Sequence, residues 1–234
     1  MDDRIESSDQ VPAKAILLLS GGLDSCVLAA YMARQGIQMS AIAFDYGQRH
    51  RRELDSAIKI AKSIEIPLHV LDMRWFASLL SNSSQTNNAI DVPHGHYAAE
   101  QMKITVVSNR NMVMLSIAAA HALGIGADAI AIAAHAGDHT IYPDCRDEFM
   151  QAFIACVRLG NWGAESLHLY RPFINASKAD IVALGNALGA PMHLSYSCYK
   201  GAAMHCGYCG TCIERREAFA LAGIQDNTEY GNAD

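Results

Sequence analysis

Apolar residues in this chain fall into short unbroken runs, each followed by a longer stretch in which they recur at helical spacing. Ala15–Leu19 is the first such run; Ser20-Gly21-Gly22 closes it, and from Asp24 to Arg34 residues such as Leu28 and Met32 mark one helix face. That predicts a buried strand, a tight glycine turn and a helix. The alternation returns with a strand over Met39–Phe44, a helix over 51–64 and a strand over Pro67–Leu71. Further on the pattern predicts a short strand at Ile104–Val107, a helix from Met112 to Leu123, strands at Ala127–Ala133 and Leu167–Tyr170 with a helix over 147–159 between them, and a helix capped by Ser177. Wholly apolar strands alternating with helices indicate an α/β fold with a doubly wound parallel sheet, Rossmann-like, covered on both faces. Residues 1–13 carry no apolar period and read as a loose arm, and the polar tract 81–101 has the length of a mobile lid over a site.

The chemistry gathers where strands end. In open parallel sheets ligands sit beyond the carboxyl ends of the strands, so these segments should face one cavity. After the first strand comes Ser-Gly-Gly-Leu-Asp-Ser, residues 20–25. Adjacent glycines let the backbone present several N–H groups, and a helix start adds its unpaired amides, which suits a phosphate; Asp24 as a plain helix cap is compatible with that role. No Gly-x-x-x-x-Gly-Lys-Ser/Thr spacing is present, so this is not a Walker loop. The second strand runs into Asp45-Tyr46-Gly47-Gln48-Arg49-His50, and Ser108-Asn109-Arg110-Asn111 precedes the next helix. Arginine there suits a carboxylate or phosphate through bidentate bonding, with a surface cap as the alternative. The exit at 135–146 holds His135, Asp138, His139, Tyr142, Asp144, Cys145 and Arg146, a density of polar groups expected of a substrate pocket. The histidines could equally be ordinary loop residues, and Cys145 a small buried hydrophobe rather than a nucleophile. Lys178, in the first turn of its helix, opposes the helix dipole; a bound anion would compensate it, which makes it a candidate for stabilising charge on a transferring phosphate.

Composition narrows the partners. The chain has 234 residues, 51% of them apolar, enough for one large domain with an appendage. We expect a flexible arm at 1–13, a nucleotide-handling domain at 14–193, a metal-binding segment at 194–223 and a tail at 224–234. Net charge is −6, which argues against nucleic acid and for a small substrate, although Arg49, Arg51 and Arg52 cluster around His50. No run is long and apolar enough to span a bilayer, and a polar start suggests a cytoplasmic protein. Of seven cysteines, Cys198, Cys206, Cys209 and Cys212 form C-x7-C-x2-C-x2-C. That spacing suits one tetrahedral zinc ion, and four thiolates leave no open position, so the expected role is structural; an iron–sulfur cluster is the rival.

Residues 20–25 resemble the pyrophosphate loop of the ATP pyrophosphatases. Taken with Phe44-Asp45-Tyr46-Gly47-Gln48-Arg49-His50, Arg110-Asn111, Tyr142-Pro143-Asp144-Cys145-Arg146 and Ser197-Cys198-Tyr199, the chain from about Lys14 to Gly223 resembles the QueC, or 7-cyano-7-deazaguanine synthase, family. The resemblance implies an adenine nucleotide alpha hydrolase type of fold and an enzyme that adenylates 7-carboxy-7-deazaguanine with ATP. Ammonia then displaces AMP to give the amide, and a second adenylation and elimination give the nitrile. It implies magnesium with ATP, structural zinc and a homodimer. Carried onto this chain, Leu19, Ser20, Gly21, Gly22, Leu23, Asp24, Ser25, Phe44, Tyr46, Gln48, Arg49 and His50 would bind the nucleotide. Arg110, Asn111, His135, Asp138, Tyr142, Asp144, Cys145 and Arg146 would bind the base, and Ser20, Asp24, Ser25, Arg110 and Lys178 would serve catalysis. Ser108 and residues 136–141 depart from the family's pattern, which leaves open a relative that joins the activated base to a protein amine in antiviral defence. A tRNA base-modifying enzyme or a nucleic-acid-binding module would need a basic surface that the charge does not supply.

Overall fold

The computed structural model describes residue 5 and residues 10–77, 79–80, 82–95 and 100–231, apart from the side chains of 77 and 100. Five strands, β1 (Lys14–Leu18), β2 (Gln38–Asp45), β3 (Leu68–Asp72), β4 (Ala129–Ala131) and β5 (His168–Tyr170), pair in parallel in the order β3-β2-β1-β4-β5. The order reverses between β1 and β4, and the crevice at that reversal is where such sheets bind ligands. The helices are α1 (Leu23–Arg34), α2 (Arg52–Ile64), the short α3 (Arg74–Ala77), α4 (Arg110–Ile125), α5 (Asp147–Gly160), α6 (Lys178–Leu188) and α7 (Gly210–Leu221). Among the described residues no helix is long and apolar enough to cross a membrane.

Successive strand residues point to opposite faces, and the two cores follow from that period. Ile16, Ile42 and Ile130 pack with Leu115 and Ala118 of α4 and with Met150 and Phe153 of α5. Leu17, Ala41 and Ala129 pack on the other face with Val27 and Leu28 of α1, Ile60 of α2, Ile181 and Val182 of α6, and Phe219 of α7. Small residues at Ala41, Ala129 and Ala131 let the helices of that face approach the sheet closely.

Three expectations change. Ile104–Val107 is not a strand: residues Glu100–Thr105 form a 3-10 helix, with the Thr105 hydroxyl donating to the Met102 carbonyl and pairing with the Tyr142 hydroxyl. The β-branched run favours a strand locally, but its side-chain partners lie over the cavity rather than beside a sheet edge. The tract 82–95 is held in place: the Arg49 backbone N–H donates to the Gln85 carbonyl, its guanidinium donates to the carbonyls of Asn87 and Ile90, and Gly95 N–H donates to Tyr208. The remainder of the expected lid, residues 81 and 96–99, lies outside the described residues, as do 1–4 and 6–9 of the arm and 232–234 of the tail. Ile5, within the expected loose arm, is buried in the core of α1 and α6.

Candidate functional site

A cavity of about 230 Å³ opens at the reversal point, walled by the turn after β1, the end of β2, the start of α4, the exit of β4 and the start of α6. Gly22 is the N-cap of α1 and makes no side-chain cap hydrogen bond, so the helix opens beside the cavity without an N-cap side chain over it. Asp24 is therefore no cap. The turn is held by its own hydroxyls: Ser20 Oγ accepts from Gly22 N–H at 3.2 Å and lies 3.1 Å from Ser25 Oγ, which donates to the Gly22 carbonyl. Leu19, Ser20, Gly22, Leu23, Asp24 and Ser25 line the cavity. Gly21 does not: its φ of +91° aims its carbonyl at the Tyr196 N–H, and a Cβ there would stand 1.9 Å from the Glu53 carbonyl oxygen of α2.

Asp24 turns instead to Lys178, whose Nζ is 3.1 Å from its Oδ2. Lys178 opens α6 after Ser177, which forms a capping box with Asp180. Its ammonium also donates to Glu214 Oε2 at 2.7 Å and lies 3.4 Å from His135 Nε2. Burial works against both charges. For Lys178 the carboxylates of Asp24, Glu214 and Asp138 outweigh it and raise the ammonium's pKa; for Asp24, Lys178 and His135 outweigh it and hold the carboxyl below its usual range. Burial raises the pKa of Glu214, with Lys178 and His135 pulling the other way. His135 sits behind the cavity, 1% exposed, with Nδ1 accepting from Gly137 N–H and Nε2 3.6 Å from Asp138, which lines the cavity. The anion that α6 needs at its start is thus supplied by Asp24 and Glu214.

The far wall is built around Arg110, the first residue of α4. Its guanidinium donates to the Tyr46 hydroxyl at 3.3 Å and lies over that ring. Burial opposes its charge, but Tyr46 and Asp144 raise its pKa, so a cation stands at the cavity throughout the working range. Gln48 closes the loop beneath Tyr46, accepting from Tyr46 N–H and donating to the Phe44 carbonyl; Phe44, Gln48 and His50 also line the cavity, with His50 Nε2 3.1 Å from Glu53. Asn111 joins Asp144 to Cys145: its N–H donates to Asp144 Oδ2, and its amide to the Asp144 carbonyl and the Cys145 sulfur. Burial pushes the Cys145 thiol well up, which favours a small buried group over a nucleophile there. Tyr142 lines the cavity with its hydroxyl 3.1 Å from that of Tyr199.

Two expected ligand residues lie elsewhere. The Arg49 guanidinium fastens the tract 87–90, because its carbonyl acceptors there lie away from the cavity. Arg146 donates to the His139 carbonyl at 2.8 Å and lines a separate open cleft with Ser108 and Thr140, since the 3-10 turn Pro143–Cys145 carries it past the cavity rim. Asp144 and His135 support the wall without lining it. Glu53 and Glu214 are residues the sequence reading passed over. Glu53 could have been found as the i+3 partner of His50, whereas Glu214 lies in a charged helical run with no local sign of burial.

Beyond the cavity the sulfurs of Cys198, Cys206, Cys209 and Cys212 all lie within 4.8 Å of one another, and Cys209 is the N-cap of α7. Four clustered thiols, three of them buried, fit a tetrahedral ion such as zinc. His205 is not a fifth candidate: its Nε2 accepts from Ser197 N–H at 2.9 Å.

Comparison with known proteins gives concordant results. The profile of a family described as "Queuosine biosynthesis protein QueC" matches residues 14–223. A 7-cyano-7-deazaguanine synthase of Paracoccus denitrificans is 51% identical over 94% of this chain and 94% of its own length. The synthase of that name from Brucella ovis is 49% identical over 94% of this chain and 95% of its own. The fold is shared with an NMN synthetase from Francisella tularensis, with a TM-score of 0.52 at 15% identity, covering 92% of this chain and 79% of that one.

Proposed function

The chain belongs to the QueC family, and from that premise we propose that it is an ATP-dependent ligase-type enzyme producing 7-cyano-7-deazaguanine from 7-carboxy-7-deazaguanine, with ammonia as the nitrogen donor. The observation that carries this reading is the uncapped start of α1 opening, through Ser20–Ser25, onto a cavity that also holds Arg110 and Lys178.

A carboxylate resists attack because hydroxide is a poor leaving group, so it must first become an acyl-adenylate. The backbone amides at the start of α1 would take the departing pyrophosphate, with Ser20 and Ser25 keeping the turn in shape. Arg110, held by Tyr46, is suited to a carboxylate or phosphate, and Lys178 to charge growing on the transferring phosphate. Asp24 Oδ1 is buried with no hydrogen-bond partner, and a hard carboxylate oxygen of that kind fits magnesium, which would neutralise the triphosphate. Ammonia attacks the acyl carbon and AMP leaves; the resulting amide is adenylated in turn, and loss of a proton and AMP gives the nitrile. The walls offer Tyr46, Asn111, Asp138 and Tyr142 to the base. Zinc at the four thiolates would be structural. We further read the protein as a homodimer; exposed Val70, Trp75 and Leu79, on and just after edge strand β3, support a covered face.

Mass spectrometry after incubation with ATP, magnesium, the carboxy base and ammonium tests the reading. The expected products are the nitrile, AMP and pyrophosphate. Release of ADP and phosphate would overturn the adenylate chemistry, and a product stalled at the amide would overturn nitrile formation.

A further inference from the structure

The cysteine cluster and the cavity share a helix. Cys209 caps α7 and Cys212 lies in its first turn, so an ion held by the four thiolates also fixes where this helix begins. Glu214 follows two residues later and crosses to α6, where its Oε2 accepts from Lys178 Nζ at 2.7 Å. The ammonium also meets Asp24, 3.1 Å away in the turn after β1. Each of the Glu214 and Lys178 side chains is only 13% exposed, so solvent screens their attraction little. Glu214 lies close to Gly137: a Cβ there would stand 3.3 Å from its Oε1 and nearer still to the His135 ring, so the glycine leaves room for both. A lysine stem has four rotatable bonds, so its ammonium stands where its partners hold it. Asp24 and Glu214, on different elements, are two of those partners.

We propose that Glu214 is a positioning residue for the adenylation step: α7 carries it from the cysteine cluster to Lys178, so that the knuckle sets where the lysine ammonium stands beside the phosphate loop as well as bracing the C-terminal segment. The proposal rests on the ATP-using ligase reading above. Glu214 does not touch substrate; it acts through Lys178. Its charge and its reach both matter, since a neutral amide holds an ammonium more weakly and a shorter acid falls short of it.

Glu214→Gln is the direct test, with pyrophosphate release, the Michaelis constant for ATP and zinc per chain measured on the same preparation. The expected result is a kcat lower by roughly tenfold to a hundredfold, as a displaced catalytic group produces. The Michaelis constant for ATP should move less than about threefold, because the loop amides still hold the phosphates. Zinc content should equal that of the wild type. In the double variant with Lys178→Gln, Glu214→Gln should cost little beyond the lysine change alone, since both remove one arrangement. A kcat within about twofold of wild type, an additive loss in the double variant, or a loss of zinc in step with activity would each overturn the proposal. Where Lys178→Gln does not fold, the split between kcat and Michaelis constant in Glu214→Gln decides alone. Absence of pyrophosphate release from the wild-type enzyme would instead refute the ligase reading.

Discussion

Gly21 and Gly22 are adjacent and identical in sequence, yet the structure asks different things of them. Gly21 adopts φ +91°, and a Cβ there would collide with backbone of α2, the Glu53 carbonyl oxygen, at 1.9 Å. Gly22 has φ −75°, and its nearest obstacle is the Ser20 hydroxyl at 3.3 Å, which can rotate away. Gly21→Ala should therefore cost about 1–3 kcal/mol in backbone strain alone, with more from displacing α2, and should abolish pyrophosphate release. Gly22→Ala should lower the melting temperature much less. Thermal unfolding of the two variants side by side checks the ordering, and equal losses would show that the collision is relieved. A glycine pair at a strand end is visible in the sequence; which of the two is indispensable is not, because the obstacle arrives from residues thirty positions later.

Helix α7 shows the same limit for an element. Its run Ile213-Glu214-Arg215-Arg216-Glu217 has the composition of a solvated face, yet Arg215 is buried and Glu214 half-buried. Arg215 is 1% exposed and donates to Ser195 Oγ, Ser197 Oγ and the Met192 carbonyl while pairing with Asp226. It ties α7 to the segment whose Tyr196 N–H donates to the Gly21 carbonyl, and so to the glycine turn after β1. Arg215→Ala would leave Asp226 enclosed without its cation, and the expected destabilisation is about 3–5 kcal/mol in urea unfolding. Arg216→Ala loses a contact over the Tyr230 ring at an exposed site and should cost no more than about 1 kcal/mol. The opposite ranking would mean that the buried network is dispensable. Cys206→Ser addresses the other end of the element: it should lower bound zinc and the melting temperature together, since metal affinity at such a site is part of the folding free energy.

Across the whole molecule, the charges at the crevice make stability depend on pH. Burial opposes the Asp24 carboxylate, but Lys178 and His135 prevail and its folded pKa lies below the ordinary value of about 3.9. A depressed acid contributes stability that is present above the unfolded value and is lost as pH falls through the folded one. Lys178 carries the reverse sign: its raised pKa contributes below about 10.4 and is lost as pH rises through the folded value. Urea midpoints for Asp24→Asn should accordingly be lower than wild type at neutral pH and should converge with it in acid. Midpoints that stay apart at low pH would show that the carboxylate's charge is not what the fold uses.

The residue order by itself determined the class of fold, the positions of most strands and helices, the glycine turn after β1 and the four-cysteine set, because each of these is written in local spacing: unbroken apolar runs for strands and a 3.6-residue period for helices, glycines at a strand end, two-residue gaps between thiols. Tertiary structure decided everything that depends on which distant groups compete for a side chain. It turned Ile104–Val107 away from the sheet toward Met102 and Tyr142, drew Arg49 and Arg146 to backbone carbonyls outside the cavity, and brought Glu214 from the helix that carries Cys212 to Lys178. A charged or β-branched residue has several partners open to it in sequence. Only the packed chain, by excluding water and fixing distance, decides which of them it takes.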